Sequence, residues 1–334
     1  MTLDITGENA RKLLYIEDLF KALMEKYNYQ YIKTPTLEDE QMLGVIEDGD
    51  YLDFNLRPSG MVGVIRNFIN QNANKQLGIQ KFWYNGSMFN SDNFFENYEL
   101  GFDVLGSYNS TLDVEVMNLV INFYRLLGLN EFILKINTNG EEKHFDKVLE
   151  YLRFLEIDYI VDDSLFLDKN YYTDTIFEII TNNSKLEEQL VIGSGGRYNN
   201  LINRLSAIDT PGFGFSLNLN NLLTVLDYDG LILNKETTLD AYIINSTDSV
   251  IPFSLKLLEM LRMNGFSVEF DHNNQQEAEA LNTKFIIKVD EQSVSDTVLT
   301  IINNRTKEEF KIEEEYIINF LDEKVSGEDE EDIY

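Results

Sequence analysis

Apolar residues at Leu13, Leu14, Ile16, Leu19, Phe20, Leu23 and Met24 recur at helical spacing and predict an amphipathic helix over 10–27. A strand is expected at 29–32, ended by Thr34-Pro35-Thr36. The Pro35 ring removes a ladder donor there and pushes Thr34 toward extended backbone. Another strand, 51–57, runs into a Pro58-Ser59-Gly60 turn, followed by a helix carried by Val62, Val64, Ile65, Phe68 and Ile69. Aromatic and branched residues predict strands at 79–89 and 97–105 on either side of a short polar loop. Asp113 to Leu127 shows a clear apolar stripe with Gly128 as its stop signal. Further strands and a helix lead to a glycine turn at Gly193-Ser194-Gly195-Gly196 and a helix at 198–205. A strand–helix pair over 212–226 closes the unit.

Residues from Asp227 to Thr238 read as a linker of turn formers and mixed charge. Beyond it, strands are expected at 239–244, 266–270, 284–289, 297–303 and 308–312. Helices are expected at 251–264, 275–281 and from 313 onward. Such strand–helix–strand steps suit a partly parallel sheet covered by helices. The chain therefore divides into an α+β domain over 1–228, dominated by an antiparallel sheet, and a small α/β domain over 237–324. An acidic tail over 325–334, expected to be disordered, follows.

Composition narrows the chemistry. The 334 residues include 58 Asp+Glu against 27 Lys+Arg, a net charge of −31. Such a chain gains little from a polyanionic backbone, which argues against nucleic-acid binding through a general basic surface. There is no cysteine, so disulfides, thiolate metal sites and a cysteine nucleophile are excluded. The two histidines, His144 and His272, are far apart in sequence, which disfavours a histidine-built metal site or a Ser-His-Asp triad. No apolar run approaches a membrane span and no signal-peptide pattern opens the chain, so a soluble, cytoplasmic protein without metal or cofactor is expected.

Local motifs leave alternatives open. The Gly193–Gly196 stretch lacks the third glycine and the downstream acid of a dinucleotide fingerprint, and reads as a tight turn close to a strand or a small ligand. Glu99 and Asp103, flanking Gly101, share one face of a strand. They either read a cationic or amide-like ligand or form a solvated edge. Tyr171 and Tyr172, read as strand neighbours, place one ring in the core and the other against a cavity, or simply pack on both faces. His144 reads as a solvated helix-surface residue and His272 as a strand-end turn residue.

Several fragments occur in an order that resembles the class II histidyl-tRNA synthetase family. Thr34-Pro35-Thr36-Leu37-Glu38 is similar to its motif 1. Asn55-Leu56-Arg57-Pro58-Ser59-Gly60 and Phe82-Trp83-Tyr84-Asn85-Gly86-Ser87-Met88-Phe89 are similar to its motif 2 region, and Asn97 to Gly106 to the strand that follows. Leu167 to Thr173 resembles the histidine-specific loop. Gly195-Gly196-Arg197-Tyr198 and Thr210-Pro211-Gly212-Phe213-Gly214-Phe215 complete the set, and Leu239–Leu321 resembles the anticodon-binding domain. The family's helical insertion between the two halves is missing. By this resemblance Ser59, Glu99, Asp103, Tyr171 and Tyr172 surround histidine, with Gly195 and Gly196 as the pocket floor. Ser59 stands where the family has an acid for the amino group.

The resemblance also places arginines where this chain has none: Asn90 in motif 2, Leu167 in the histidine loop and Asn221 in motif 3. Asp92 adds a negative charge beside the ATP position. Hydrogen bonds to charged groups contribute about 1.5–3 kcal/mol each, so the expectation is a chain that is not an enzyme. That pattern is similar to the regulatory subunit of ATP phosphoribosyltransferase. The resemblance then implies a short-form catalytic subunit as partner, a homodimer, L-histidine as effector and a place in histidine biosynthesis. The alternatives are a tRNA or amino-acid sensor, a dimeric scaffold, or an active histidine–tRNA ligase. Residues 237–320 carry 15 acids against 7 basic residues, which disfavours tRNA as a partner.

Overall fold

The computed structural model describes residues 4–38, 42–43, 55–72, 78–89, 96–140, 142–167, 171–182, 188–206, 208–229, 239–272, 278, 281 and 283–331. The chain divides into two compact units, Met1–Leu233 and Asn234–Tyr334. The expected strand at 51–57, helix at 275–281 and linker at 227–238 lie largely outside the described residues.

In the first unit, α1 (Gly7–Lys26), β1 (Gln30–Tyr31), α2 (Gly60–Asn72), β2 (Gln80–Phe89), β3 (Glu96–Leu105) and α3 (Ser110–Leu126) come first. They are followed by β4 (Phe132–Thr138), α4 (Glu142–Phe154), β5 (Ile160–Val161), β6 (Thr175–Thr181), β7 (Val191–Arg197), α5 (Leu201–Ser206), β8 (Gly212–Asn218) and α6 (Leu219–Asp229). The strands form one sheet in the order β1-β2-β3-β8-β7-β6-β4-β5. The outer pairs β1/β2 and β4/β5 are parallel, and every pair between them is antiparallel.

Side-chain alternation assigns the two faces of this sheet. Leu100, Phe102 and Val104 of β3 and Phe213, Phe215 and Leu217 of β8 join the main core with α1, α3 and α6. There Phe20 meets Trp83 and Phe123 edge-on at ring-centroid distances of 5.9 and 5.3 Å, a favoured aromatic geometry. On the opposite face, Phe82, Tyr84 and Met88 of β2 pack with α2, α5, Tyr171 and Tyr198 in a second cluster. The intervening residues Glu99 and Asp103 of β3 turn toward that second cluster.

A buried ion pair ties β7 to α3. Arg197 and Asp113 are both fully buried, and Arg197 Nε donates to the two Asp113 oxygens at 2.8 and 3.0 Å. Nη1 donates to the Ser107 carbonyl at 2.9 Å and to Asn199 Oδ1 at 3.4 Å, and Nη2 donates to the Asn109 carbonyl at 2.8 Å and to Asp113 Oδ1, so the cation is fully engaged. His144 Nε2 lies 2.9 Å from Asp113 Oδ2. The histidine expected on a solvated helix surface is thus partly buried, because α4 presents it to α3.

The second unit contains β9 (Ala241–Asn245), α7 (Ile251–Met263), β10 (Val268–His272), β11 (Phe285–Val289), α8 (Glu291–Asp296), β12 (Val298–Asn303), β13 (Glu309–Glu313) and α9 (Ile317–Glu331). Its sheet runs β10-β9-β11-β12-β13, parallel across the first three strands and antiparallel across the rest. Every residue of β9 is buried, as a central parallel strand covered on both faces requires. Helix α8 was not anticipated, although its signal is present. Asp290 caps it, accepting the Ser293 N–H at 2.7 Å.

Two expectations are corrected. Gly193–Gly196 is not a turn: it lies inside β7, paired on both sides. The glycines serve packing there, since a Cβ on Gly193 would come within 2.6–2.7 Å of Phe215 and the Tyr124 hydroxyl. Residues 325–331, expected as disordered tail, continue α9 as helix; the stretch contains no proline to end it. Among the described residues, no helix is long and apolar enough to cross a membrane.

Candidate functional site

Asp103 and Glu99 lie on the same face of β3. Asp103 is 1% exposed and accepts the Tyr198 hydroxyl on Oδ1 at 2.6 Å. Its Oδ2 is buried with no hydrogen-bond partner among the described residues. Burial pushes this carboxyl up to about 8, and the Glu99 charge pushes in the same direction. Glu99 accepts the Tyr84 hydroxyl at 2.9 Å and the Ser59 hydroxyl at 3.3 Å. Burial raises its pKa as well, opposed by those hydrogen bonds.

Glycines make room for these groups. A Cβ on Gly214 would lie 2.2 Å from Asp103 Oδ1, and one on Gly101 would lie 2.5 Å from the Tyr84 hydroxyl. Gly60 clears the same ring, and Gly212 clears Tyr198. At Gly101, Gly212 and Gly214 no other residue fits without displacing a tyrosine ring or the Asp103 carboxyl.

Tyr171 and Tyr172 lie in a loop, not in a strand, and both rings turn to the same cluster, 4.7 Å apart between centroids. Tyr171 also meets Tyr198 edge-on at 6.4 Å. The strand-alternation reading of this pair is corrected: loop backbone frees adjacent side chains from opposite faces. Alternation does separate Gly195 from Gly196. A Cβ on Gly196 would lie 2.9 Å from Tyr172, whereas one on Gly195 would meet the Gly214 carbonyl and Phe177, toward the main core. Ser59, Glu99, Asp103, Tyr171, Tyr172 and Gly196 therefore converge, and Gly195 does not join them. Tyr84 and Tyr198 belong to the site and escaped the residue-level reading. Both sit within stretches that resemble family motifs, 82–89 and 195–198, but nothing local marks them as partners of the two carboxyls.

Next to this cluster a cleft of about 320 Å³ is lined by Glu99, Ser194, Ser216, Asn218 and Asn221 among others. Asn218 Oδ1 accepts the Asn221 N–H at 3.1 Å, capping the start of α6. Asn221 Nδ2 donates to the Val191 carbonyl at 2.7 Å. Leu167 is half-buried, while Asn90 and Asp92 lie outside the described residues. Arg57 is spent on structure. Its Nη1 reaches the Thr34 carbonyl and hydroxyl at 3.1 and 2.7 Å, and its Nε the Ser87 carbonyl at 3.0 Å. Arg66 pairs with Glu38. Among the described residues, no cluster of His, Asp and Glu is arranged to hold a metal.

Residues 240–324 match the model of the anticodon binding domain. A histidine–tRNA ligase of Acholeplasma laidlawii is 26% identical, with 96% of this chain and 98% of that protein aligned. The crystal structure of apo histidyl-tRNA synthetase from Staphylococcus aureus superposes with a TM-score of 0.86 at 30% identity, covering 96% of this chain and 98% of that one. A Bacillus halodurans structure, described as an ATP phosphoribosyltransferase regulatory subunit/histidyl-tRNA synthetase, shares the fold with a TM-score of 0.64. It is 18% identical and covers 86% of this chain and 96% of its own.

These matches correct the expectation that the chain is not an enzyme. The proteins that align with it end to end carry an enzyme's name, histidine–tRNA ligase. The missing arginines are few positions, whereas the likeness covers 96% of this chain. The α+β sheet of the first unit is that of class II synthetases, and the second unit has the anticodon-binding architecture. The chain belongs to the class II histidyl-tRNA synthetase-like family.

Proposed function

We propose that the first unit binds L-histidine at Asp103 and Glu99 and that the chain uses it as a histidine–tRNA ligase does. The observation that carries this reading is the buried Asp103 Oδ2, which lacks a hydrogen-bond partner among the described residues. A buried carboxyl oxygen without a partner is costly, and a ligand N–H satisfies it. An imidazole N–H or an ammonium supplies that donor, and Glu99 accepts a second. Tyr84, Tyr171, Tyr172 and Tyr198 close the pocket with ring surface suited to imidazole. Asp103 and Glu99 hold the ligand's protons, and the glycines at 101 and 214 let both carboxylates approach it.

Support for the ligase role comes from the names of the relatives aligned over the whole chain. The test is histidine-dependent ATP–pyrophosphate exchange, run beside calorimetric titration of histidine into the protein. Binding together with exchange supports the reading in full. No heat with histidine at millimolar concentration sinks the pocket assignment itself.

One observation favours a second reading, a histidine-responsive regulatory subunit of ATP phosphoribosyltransferase. Where the resemblance places an arginine, the cleft is lined by the neutral Asn221 amide, which donates to the Val191 carbonyl. In this role histidine binding biases an assembly, a coupling between sites. Pairing of two copies through the Thr34–Glu38 region and a cytoplasmic location go with either role. Co-expression with a short-form catalytic subunit decides it. A complex whose activity rises on assembly and falls with histidine supports regulation, and absence of any complex sinks it.

A further inference from the structure

Exposed large apolar side chains are scattered over the first unit except along one segment. Phe154 and Leu155 close α4, Ile160 and Val161 form β5, and Phe166 follows, all exposed to solvent. Phe154 is 84% exposed and Phe166 67%. β5 is the last strand of the sheet and, among the described residues, pairs with β4 alone, through Lys135↔Ile160 and Ile136↔Val161. Among the described residues no strand pairs with its outer side, which lies beside exposed aliphatic side chains. Edges of stable monomers are commonly blunted by brevity, lysine, proline or a covering element; β5 is short, but its two residues are isoleucine and valine.

Charge limits what can cover this strip. Residues 150–166 contain five acids against the single base Arg153. Glu150, Glu156, Asp158 and Asp163 are exposed, and Asp162 is engaged by Lys135 at 2.9 Å. A second copy of a chain with net charge −31 would bring the same acidic rim against this one, which opposes self-pairing. The acidic residues 328–334 carry the same sign of charge and offer this rim no complement. An extended segment alternating apolar and basic side chains fits both features: its backbone extends the sheet, its apolar side chains cover the strip, and its cations meet the rim. We propose that the Phe154–Phe166 edge docks a basic amphipathic strand of another protein, added beyond β5.

A synthetic peptide of alternating valine and lysine is the probe, with a valine–glutamate peptide as its counterpart. The first should bind with micromolar affinity and slow amide exchange within residues 154–166, and the second should not bind. The double variant Phe154→Ser/Phe166→Ser keeps every charge and alters only exposed positions, so it should melt as the parent does yet bind at least about tenfold more weakly. Val161→Pro, which removes a backbone donor at the edge, should weaken binding as well. Equal binding by the double variant would reduce the effect to charge attraction and overturn the proposal. So would protection appearing elsewhere, or a dimer of the parent protein that the double variant abolishes.

Discussion

Asp103 joins two properties that rarely coexist in one carboxyl: nearly complete burial and an oxygen without a hydrogen-bond partner among the described residues. Its pKa, pushed up to about 8, means that the folded protein holds this proton to higher pH than the unfolded chain, which releases it near 4. Between those values the native state binds more protons, so its stability falls as pH rises through the window. The raised Glu99 carboxyl adds in the same direction. Asp103→Asn removes the larger contribution. In the absence of histidine its melting temperature should exceed the parent's at pH 8 and approach it at pH 5, as read by scanning calorimetry at both values. A variant that melts below the parent at pH 8 counts against the raised pKa. Gly214→Ala addresses the same oxygen from the other side. The new methyl would sit 2.2 Å from Oδ1 and displace the carboxyl. Histidine affinity should fall at least about tenfold, ~1.4 kcal/mol, in calorimetric titration. Glu99 and Asp103 were legible as a pair because strand alternation puts residues four apart on one face. Their hydroxyl partners Tyr84 and Tyr198 were not, because those pairings join positions 15 and 95 residues apart.

At the scale of elements, hydrophobic periodicity located most helices and strands, since each buries one stripe or one face. It failed at β7, where four residues of Gly193-Ser194-Gly195-Gly196 carry no apolar pattern at all. Their strand character comes from outside the segment, from ladders to β6 and β8 and from rings that occupy the space of the absent side chains. The same strand ends in Arg197, whose pair with Asp113 spans 84 residues and was equally invisible to local pattern. Removing one member of a buried pair leaves the other charge uncompensated and typically costs about 3–5 kcal/mol. Asp113→Ala should therefore lower unfolding stability by that amount in urea titration, without a change in slope. His144→Ala, at the partly exposed end of the network, should cost less than about 1.5 kcal/mol. If the two variants lose equally, Asp113 is not the centre of the network. Because Tyr198 follows Arg197 directly and donates to Asp103, loosening this anchor should also weaken histidine binding.

For the whole molecule, the charge of −31 sets the terms on which any tRNA could be held. Residues 240–324 match the anticodon binding domain, yet residues 237–320 carry 15 acids against 7 bases, so the field there opposes a polyanion. Affinity for nucleic acid normally falls as salt rises, with a slope set by the phosphates neutralised. Here few cations are available for that exchange, and long-range repulsion weakens as the Debye length shrinks to about 10 Å at 0.1 M salt. The two effects oppose one another. Filter binding of a histidine-accepting tRNA from 20 to 200 mM salt should therefore give a slope of log affinity against log salt shallower than about −2, and flat or rising at the low end. A steep loss of affinity, of the kind basic surfaces give, would mean that a concentrated cationic patch survives within the acidic total. In that event the overall charge misstates the surface that meets RNA, and the ligase reading gains over the regulatory one.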